Sequence, residues 1–268
     1  MSKKTFYLLM VIFLVIIVLV ILINLRKGGK ETFPIDFDKT AFNYLPTSNT
    51  NQLVQHTHFT LSYSEKDEQA EWVAYQLTLN ELRNAAERND NFREDPKVLS
   101  GSATPDDYRR SGYDRGHLAP AGDMGFSEEA MSESFYMSNI SPQDRAFNRG
   151  IWRTLETQTR DWAAESGSLY VVTGGVLTEK IKVIGTKNKV SVPKYFYKVL
   201  LDLEESDVKA IAFLLPNEGS DAPLSQFVIS IDSLESMTGI DFFPALPDDL
   251  EEKLESSVSL SGWKFNEN

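Results

Sequence analysis

Cysteine is absent from all 268 residues of the chain. Its absence excludes a disulfide framework, a zinc site with cysteine ligands and a thiol nucleophile. Basic side chains are also scarce, because 27 lysines and arginines stand against 39 aspartates and glutamates, a formal net charge of -12. A protein that binds phosphate groups usually has a basic surface, so this balance argues mildly against nucleic-acid binding. The length suits one large domain or two small ones, each with a packed core.

Charged residues are missing from one long segment near the amino terminus. Asn24 is the only clearly polar side chain in residues 6–25. Twenty helical residues cover about 30 Å, the thickness of the hydrocarbon core of a bilayer. A cleaved signal peptide has a shorter apolar region and ends at small residues, whereas this segment is followed by Arg26 and Lys27. We therefore predict that residues 1–30 are a retained transmembrane anchor with basic flanks, whose residues 6–25 contact the lipid bilayer.

The rest of the chain divides into a lead-in and one domain. Residues 31–55 lack a sustained apolar period and are predicted to be a tether or an irregular lead-in, and the domain is predicted to cover residues 56–268. Strands are predicted for residues 56–63, 72–78, 169–173, 195–203, 210–215 and 227–232, and helices for residues 151–165, 234–238 and 248–256. This order indicates an α+β fold around a largely antiparallel sheet flanked by helices.

Arginine is distributed unevenly along the chain. Nine of its eleven arginines fall between residues 88 and 160, where ten basic residues meet twelve acidic ones. The excess negative charge therefore lies almost entirely outside this window. Because the planar guanidinium group matches phosphate oxygens, a local cluster of arginines is more informative than the net charge. The alternative is a set of solvated helix faces and surface ion pairs.

One of three histidines lies inside the arginine-rich window, in the tetrapeptide Asp-Arg-Gly-His that ends at His117. A histidine beside Asp114 and Arg115 is suited to take a proton from water, and Gly116 would let the backbone pass close to a substrate. On its own this DRGH motif is weak, since a structural histidine gives the same pattern.

The following segment supplies further polar groups. On one helix that starts at Asn148, the residues Ile151, Leu155 and Trp162 form a narrow apolar stripe, and the neighbouring sector holds Asn148, Glu156 and Arg160. An amide, a carboxylate and a guanidinium suit a hard metal ion and a phosphate. A straight helix would separate Asn148 from Glu156 by about 12 Å. Either the chain bends near Gly150, or Glu156 acts through metal-bound water; we favour the second.

Together these motifs resemble the family of DNA/RNA non-specific endonucleases, which includes Serratia nuclease and mitochondrial endonuclease G. The resemblance runs from about His58 to Leu254 and includes residues 72–75, 88–92, 112–117, 138–143 and 238–243. It implies a ββα-metal core, also called a His-Me finger, within a mixed α+β domain. It also implies cleavage of DNA and RNA with one Mg²⁺ ion, for which Mn²⁺ can substitute, leaving 5'-phosphate ends.

Matched by position, the resemblance assigns a role to each site residue. His117 resembles the general base, and Asn148 the one protein ligand that touches the metal. Glu156 resembles the carboxylate that holds metal-bound water. Arg88, Arg115 and Arg160 match arginines near the scissile phosphate, and Asp114 matches the first residue of the motif, a structural or orienting partner. Arg93 is close enough to Arg88 in sequence to compete for that role.

Other interpretations of these residues stay open. His56 and His58 form a His-x-His pair that could bind zinc, although ordinary sheet-surface histidines explain it more simply. Phe147, Trp152 and Trp162 could stack on bases, but core packing explains Trp162. The chain as a whole could be a catalytically weak, membrane-tethered nucleic-acid receptor for DNA uptake, or a metal phosphodiesterase for small nucleotides.

The position of the domain relative to the membrane is also an expectation. Lys3 and Lys4 on one side of the apolar segment and three basic residues on the other leave its orientation undecided. A nuclease without sequence preference is hazardous beside the genome. We therefore expect a single-pass membrane protein with an extracytoplasmic nuclease domain.

Overall fold

The computed structural model describes residues 42–178, 182–203 and 208–266. Eleven strands and five α-helices are found in this part of the chain. The strands are β1 (Leu53–Gln55), β2 (Thr60–Ser64), β3 (Gln69–Thr78), β4 (Asp114–His117), β5 (Ile140–Gln143), β6 (Ser168–Gly175), β7 (Val183–Ile184), β8 (Val190–Ser191), β9 (Tyr195–Asp202), β10 (Lys209–Pro216) and β11 (Val228–Ile229). The helices are α1 (Glu128–Ser134), α2 (Arg145–Arg149), α3 (Ile151–Ser166), α4 (Ile231–Thr238) and α5 (Asp248–Glu255).

Seven strands form the main sheet, in the spatial order β1, β2, β3, β6, β9, β10, β11. Every neighbouring pair in it is antiparallel. The prediction of an α+β fold around a largely antiparallel sheet is confirmed. The strands predicted from apolar runs have ends within about four residues of those of β2, β3, β6, β9 and β10, because long apolar runs are strong strand signals.

The segment between β3 and β6 carries β4 and β5, two strands that the sequence patterns did not predict. β3 and β6 are neighbours in the sheet, yet residues 79–167 separate them in the chain. Inside this segment β4 and β5 form a separate antiparallel pair in which His117 lies opposite Ile140. Helices α2 and α3 follow β5 directly. The DRGH tetrapeptide is therefore a short strand at the edge of the domain core.

Gly116 allows close packing between β4 and β5. A Cβ atom at this position would lie 2.1 Å from the side chain of Gln143, which crosses over the glycine from the neighbouring strand. Our interpretation that Gly116 makes room for a substrate is wrong. The residue makes room for a side chain of the protein itself.

The main sheet is covered on two faces. Helix α3 packs its predicted stripe of Ile151, Leu155 and Trp162 into the core, and all three are buried. Consecutive residues of a strand point to opposite faces. On β9, Lys198 lies under the ring of Trp152 on the α3 side, with 5.1 Å between its Nζ atom and the ring centroid. Its neighbour Tyr197 packs on the other face against Phe242, which follows α4.

Part of the predicted lead-in contacts the sheet. The indole nitrogen of Trp72 donates a hydrogen bond to the carbonyl oxygen of Thr47 at 2.8 Å. Ser48 and Ser62 join their hydroxyl groups at 2.6 Å, and β1 pairs with β2. Residues 31–41 lie outside the described part, and the division at residue 56 stays a prediction.

The predicted membrane anchor, residues 6–25, also lies outside the described residues. Within residues 42–178, 182–203 and 208–266, none of the helices is long and apolar enough to cross a membrane. The prediction of a single-pass membrane protein with an extracytoplasmic domain is therefore corrected for the described residues, in which no membrane-spanning helix is found.

Candidate active site

A cleft of about 1110 Å³ opens beside β4, α2 and the first half of α3. It is lined by every residue predicted for the site: Arg88, Asp114, Arg115, His117, Asn148, Glu156 and Arg160. These residues come from four separate stretches of the chain. The fold therefore brings the predicted constellation together on one concave surface.

Arginines dominate the walls of this cleft. Eight of the nine from the arginine-rich window line it: Arg88, Arg109, Arg110, Arg115, Arg145, Arg149, Arg153 and Arg160. Arg93 is the exception, because its guanidinium lies 4.0 Å above the ring of Tyr136 and donates to the carbonyl oxygen of Ser132. Of the two arginines that competed for one role, Arg88 lies in the cleft and Arg93 lies outside it. Such a concentration of guanidinium groups attracts a polyanion despite the negative net charge.

His117 ends β4 and lies between two aromatic rings. The centroid of its ring is 5.5 Å from that of Phe92 and 4.9 Å from that of Phe135. Its Nε2 atom is buried and has no hydrogen-bond partner among the described residues. Burial and the positive charges of Arg88 and Arg115 lower the pKa of His117 from 6.5 to about 3. The imidazole is therefore neutral at physiological pH, the form that accepts a proton.

Asp114, at the other end of β4, orients Asn148. The amide nitrogen of Asn148 donates to Asp114 Oδ2 at 3.3 Å, and Arg149 Nε donates to the same oxygen at 2.8 Å. Burial alone would raise the pKa of Asp114, but the bonds from Arg149 and Asn148 outweigh it and lower the pKa below 3.8. With its nitrogen held by Asp114, Asn148 turns its amide oxygen away from this carboxylate. That oxygen is a suitable ligand for a hard cation.

A break at Gly150 separates Asn148 from Glu156. Gly150 has φ -104° and ψ -114°, which ends α2, and α3 starts at the next residue. A Cβ atom at Gly150 would lie 2.4 Å from the carbonyl oxygen of Ala146, so only glycine fits this junction. The expectation of one straight helix is wrong, and the chain bends at the position that we had considered. The 12 Å spacing of a straight helix does not apply.

Glu156 and Arg160 lie one turn apart on α3, at the bottom of the cleft. Arg160 Nη1 donates to Asp123 Oδ1 at 2.8 Å. Burial raises the pKa of Glu156 above its usual 4.5, while the positive charges of Lys198 and Arg160 oppose this rise and Asp123 adds to it. The Glu156 carboxylate thus lies in a cluster of acidic and basic side chains, in which the positive charges offset the negative ones.

Three residues of this buried cluster were missed by sequence reasoning. Asp123 accepts a hydrogen bond from the hydroxyl of Tyr75 at 2.7 Å as well as the one from Arg160. Lys198 has no exposed surface, and its Nζ atom has no hydrogen-bond partner in the described part of the chain. A lysine inside an apolar strand was a signal for Lys198. Nothing in the sequence pointed to Asp123, and Tyr75 entered only as part of the matched segment 72–75, without a role of its own.

The structure resolves two of the competing interpretations. Phe147, Trp152 and Trp162 are buried in the core, so none of them presents a face to a base. His56 Nε2 pairs with Asp95 Oδ2 and His58 Nδ1 with Glu133 Oε2, each at 2.8 Å. Each histidine therefore pairs with a carboxylate from a distant part of the chain. Neither the zinc-binding pair nor the pair of ordinary sheet-surface histidines is correct. Trp152 lies in the core because its ring packs against those of Phe147 from α2 and Phe196 from β9.

Comparison with known proteins identifies the family. The family model described as DNA/RNA non-specific endonuclease matches residues 39–249. The chain belongs to this family. The resemblance drawn from the spaced motifs is confirmed.

Several relatives from the DNA/RNA non-specific endonuclease family are more than 30% identical to this chain. The mitochondrial nuclease EXOG of Danio rerio is 38% identical over 71% of this chain and 60% of its own length. Human mitochondrial endonuclease G is 37% identical, over 72% of this chain and 70% of its own length. A nuclease of Nostoc sp. is 35% identical over 80% of this chain and 81% of its own. Two of the three are named as mitochondrial.

A solved structure of the same family has the same fold. The crystal structure of the EndoG/EndoGI complex contains a chain that is 32% identical to this one, with a TM-score of 0.69. The match covers 73% of this chain and 87% of that chain. The chain spans about 60% of the length of the EXOG relatives.

Proposed function

We propose that this endonuclease-family chain hydrolyses phosphodiester bonds of DNA and RNA without sequence preference, with His117 as the general base. One observation carries the proposal. A neutral histidine with an unpartnered, buried nitrogen lies in a cleft lined by eight arginines. Binding alone needs arginines but no base, so the neutral His117 favours hydrolysis over a nucleic-acid receptor.

The reaction follows from the residues around the cleft. His117 takes a proton from a water molecule, and the water oxygen forms a bond to phosphorus. The bond between phosphorus and O3' breaks, and the 3' oxygen leaves as a hydroxyl after taking a proton from solvent. The 5' end keeps the phosphate. Arg88, Arg115 and Arg160 stabilise the charge that develops on the phosphoryl oxygens.

The residues present fit a divalent metal ion. Asn148 would hold Mg²⁺, or Mn²⁺ in its place, through its amide oxygen, and Glu156 would hold it through water. Mg²⁺ keeps several waters, so one direct protein ligand suffices. When bound, the ion neutralises charge on the phosphoryl and leaving oxygens. The neutral state of His117 avoids repulsion with the cation.

The lack of sequence preference follows from the arginines that line the cleft. Guanidinium groups contact phosphates, which every nucleotide carries, and such contacts carry no sequence information. We expect substrate attraction to weaken steeply with salt, because binding displaces counterions from the phosphates.

A plasmid-nicking assay tests the proposal. We expect cleavage of DNA and RNA with Mg²⁺, loss of cleavage with a chelator, and 5'-phosphate ends. Binding of DNA without cleavage would favour the receptor instead. Faster release of product from a dinucleotide than from long DNA would favour a phosphodiesterase for small nucleotides.

A further inference from the structure

A second group of carboxylates lies far from the cleft, between α4 and α5. Asp232 and Glu235 are one turn apart on α4, and Glu255 is the last residue of α5. One oxygen from each of the three lies within 4.8 Å of the others. Phe242, whose backbone nitrogen donates to Glu235 Oε1 at 2.7 Å, packs on the Tyr197 face of the sheet. The cleft lies on the Lys198 face.

Glu255 is the residue that requires an explanation. Its exposed fraction is 4%, and its Oε1 atom is buried without a hydrogen-bond partner in the described ranges. It ends α5, where the partial negative charge of the helix dipole disfavours a carboxylate. A buried carboxylate without a partner is costly, and proteins normally pair such a group or use it to coordinate a metal.

The neighbours of Glu255 do not supply the missing charge. After burial, the largest effects on its pKa come from Glu235, Glu251, Asp241 and Asp232, all of which are acids. Together they raise the pKa of Glu255 to about 9. Without a cation the group stays protonated at neutral pH. A bound cation would reverse this effect, because it favours the ionised form.

The three oxygens are close enough to share one ion, and carboxylate ligands suit Ca²⁺. Two oxygens bound to one Ca²⁺ at about 2.4 Å can be at most about 4.8 Å apart. Ca²⁺ takes several oxygen ligands in an irregular shell and completes the shell with water. Asp232 is exposed, Glu235 half-buried and Glu255 buried, so the cluster is open to solvent on one side. The backbone bond from Phe242 fixes the Glu235 carboxylate.

We propose that Asp232, Glu235 and Glu255 form a Ca²⁺ site that is separate from the cleft. The ion would join the first turn of α4 to the last residue of α5 and offset the repulsion among the acids. Its function is structural, because no residue of the cleft takes part. Occupancy of this site therefore changes the stability of the chain and leaves nuclease chemistry to the cleft.

Thermal denaturation and calorimetric titration of the full, metal-stripped chain with CaCl₂ test this site. For the wild type we expect one Ca²⁺ ion to bind per chain at this cluster. The Tm should rise by about 5–10 °C when the free Ca²⁺ concentration is about a hundred times the Kd of the site. Glu255→Gln should weaken that binding at least tenfold and reduce the Tm response at the same CaCl₂ concentration to about half or less. Glu251→Gln is the matched control, since it removes a neighbouring acid on the same helix but none of the three ligands, and it should respond like the wild type.

Several outcomes would overturn the proposal. A wild-type chain without Ca²⁺-dependent heat or Tm change at millimolar CaCl₂ would do so. An equal response of the wild type and Glu255→Gln would place the ion in the cleft instead. A larger response to MgCl₂ than to CaCl₂ would refute the choice of ion. If Glu255→Gln fails to fold, Asp232→Asn replaces it, because Asp232 is exposed and its loss should still weaken binding about tenfold.

Discussion

Glu156 and Glu255, on opposite faces of the sheet, have neighbours of opposite charge. Burial raises the pKa of both Glu156 and Glu255. Lys198 and Arg160 oppose the rise at Glu156, whereas Glu235 and other acids add to it at Glu255. The cleft around Glu156 thus suits an anion together with a metal ion, and the cluster around Glu255 suits a cation alone. Local charge, and not the net charge of -12, decides what each region binds.

His117→Ala should have the largest effect, and this effect should be confined to the cleft. We expect cleavage to fall by about 10²–10⁴, the usual contribution of a general base. The Ca²⁺-dependent rise in Tm should remain, because the acidic cluster is on the other face of the sheet. Plasmid nicking and thermal denaturation measure the two effects. Glu255→Gln is the control with full activity, and near-full activity of His117→Ala would refute the role of the histidine.

Asn148→Ala should produce a smaller loss in the same region. We expect cleavage at fixed Mg²⁺ to fall about 10²-fold, because the direct metal ligand and its share of transition-state stabilisation disappear. Part of the loss should be recovered at higher Mg²⁺ concentration. The CaCl₂ titration of the Glu255 cluster should be unchanged. Loss of Ca²⁺ binding by that cluster in Asn148→Ala would show that the two regions are coupled.

The acidic cluster should respond to pH in the absence of metal. The pKa of Glu255 is raised from 4.5 to about 9, so the folded chain keeps a proton that the unfolded chain releases. The stability that this proton contributes is present below about pH 4.5 and is lost as the pH rises towards 9. Glu255→Gln has no such proton to lose. We therefore expect the difference in Tm between Glu255→Gln and the wild type, measured with a chelator present, to increase in favour of the variant from pH 5 to pH 9.

The acids Asp232, Glu235, Asp241 and Glu251 face Glu255 and titrate in both proteins, so only the difference in Tm is informative. A difference that is constant from pH 5 to pH 9 would show that Glu255 has an ordinary pKa.

Of these substitutions, Lys198→Met should have the smallest effect, a change in the pH dependence of cleavage. The charge of Lys198 opposes the raised pKa of Glu156, so its removal should raise that pKa further. Loss of the ionised carboxylate should then move the acidic limb of the pH-rate profile to higher pH. Methionine retains most of the volume beneath Trp152. An unmoved limb would show that Lys198 is neutral in the folded chain.

Lys209→Met provides a matched control for Lys198→Met. Lys209 is on the neighbouring strand, and its Nζ atom also lies 5.1 Å from the centroid of a tryptophan ring, that of Trp263. It pairs with Asp202 and does not line the cleft. Its replacement should leave the pH-rate profile unchanged.

Sequence reasoning succeeded where the relevant residues are close in the chain. Asp114, Arg115 and His117 lie within one tetrapeptide, and the structure places all three in the cleft. The apolar stripe of α3 was predicted, because helical periodicity acts over a few residues. The burial of Trp152 was not, because it depends on contacts with Phe147 and Phe196 of other elements, which a helical wheel does not contain.

The sequence by itself determined the long strands of the main sheet, the apolar face of α3, the family and the predicted residues that line the cleft, because apolar periodicity and compact motifs are local properties. Only the tertiary structure decided which charges are buried together. The Arg160–Asp123 contact joins residues 37 positions apart, and the Tyr75–Asp123 contact joins residues 48 apart. Desolvation depends on such distant neighbours, so the paired acids of the cleft and the unpaired Glu255 could be distinguished only in the folded chain.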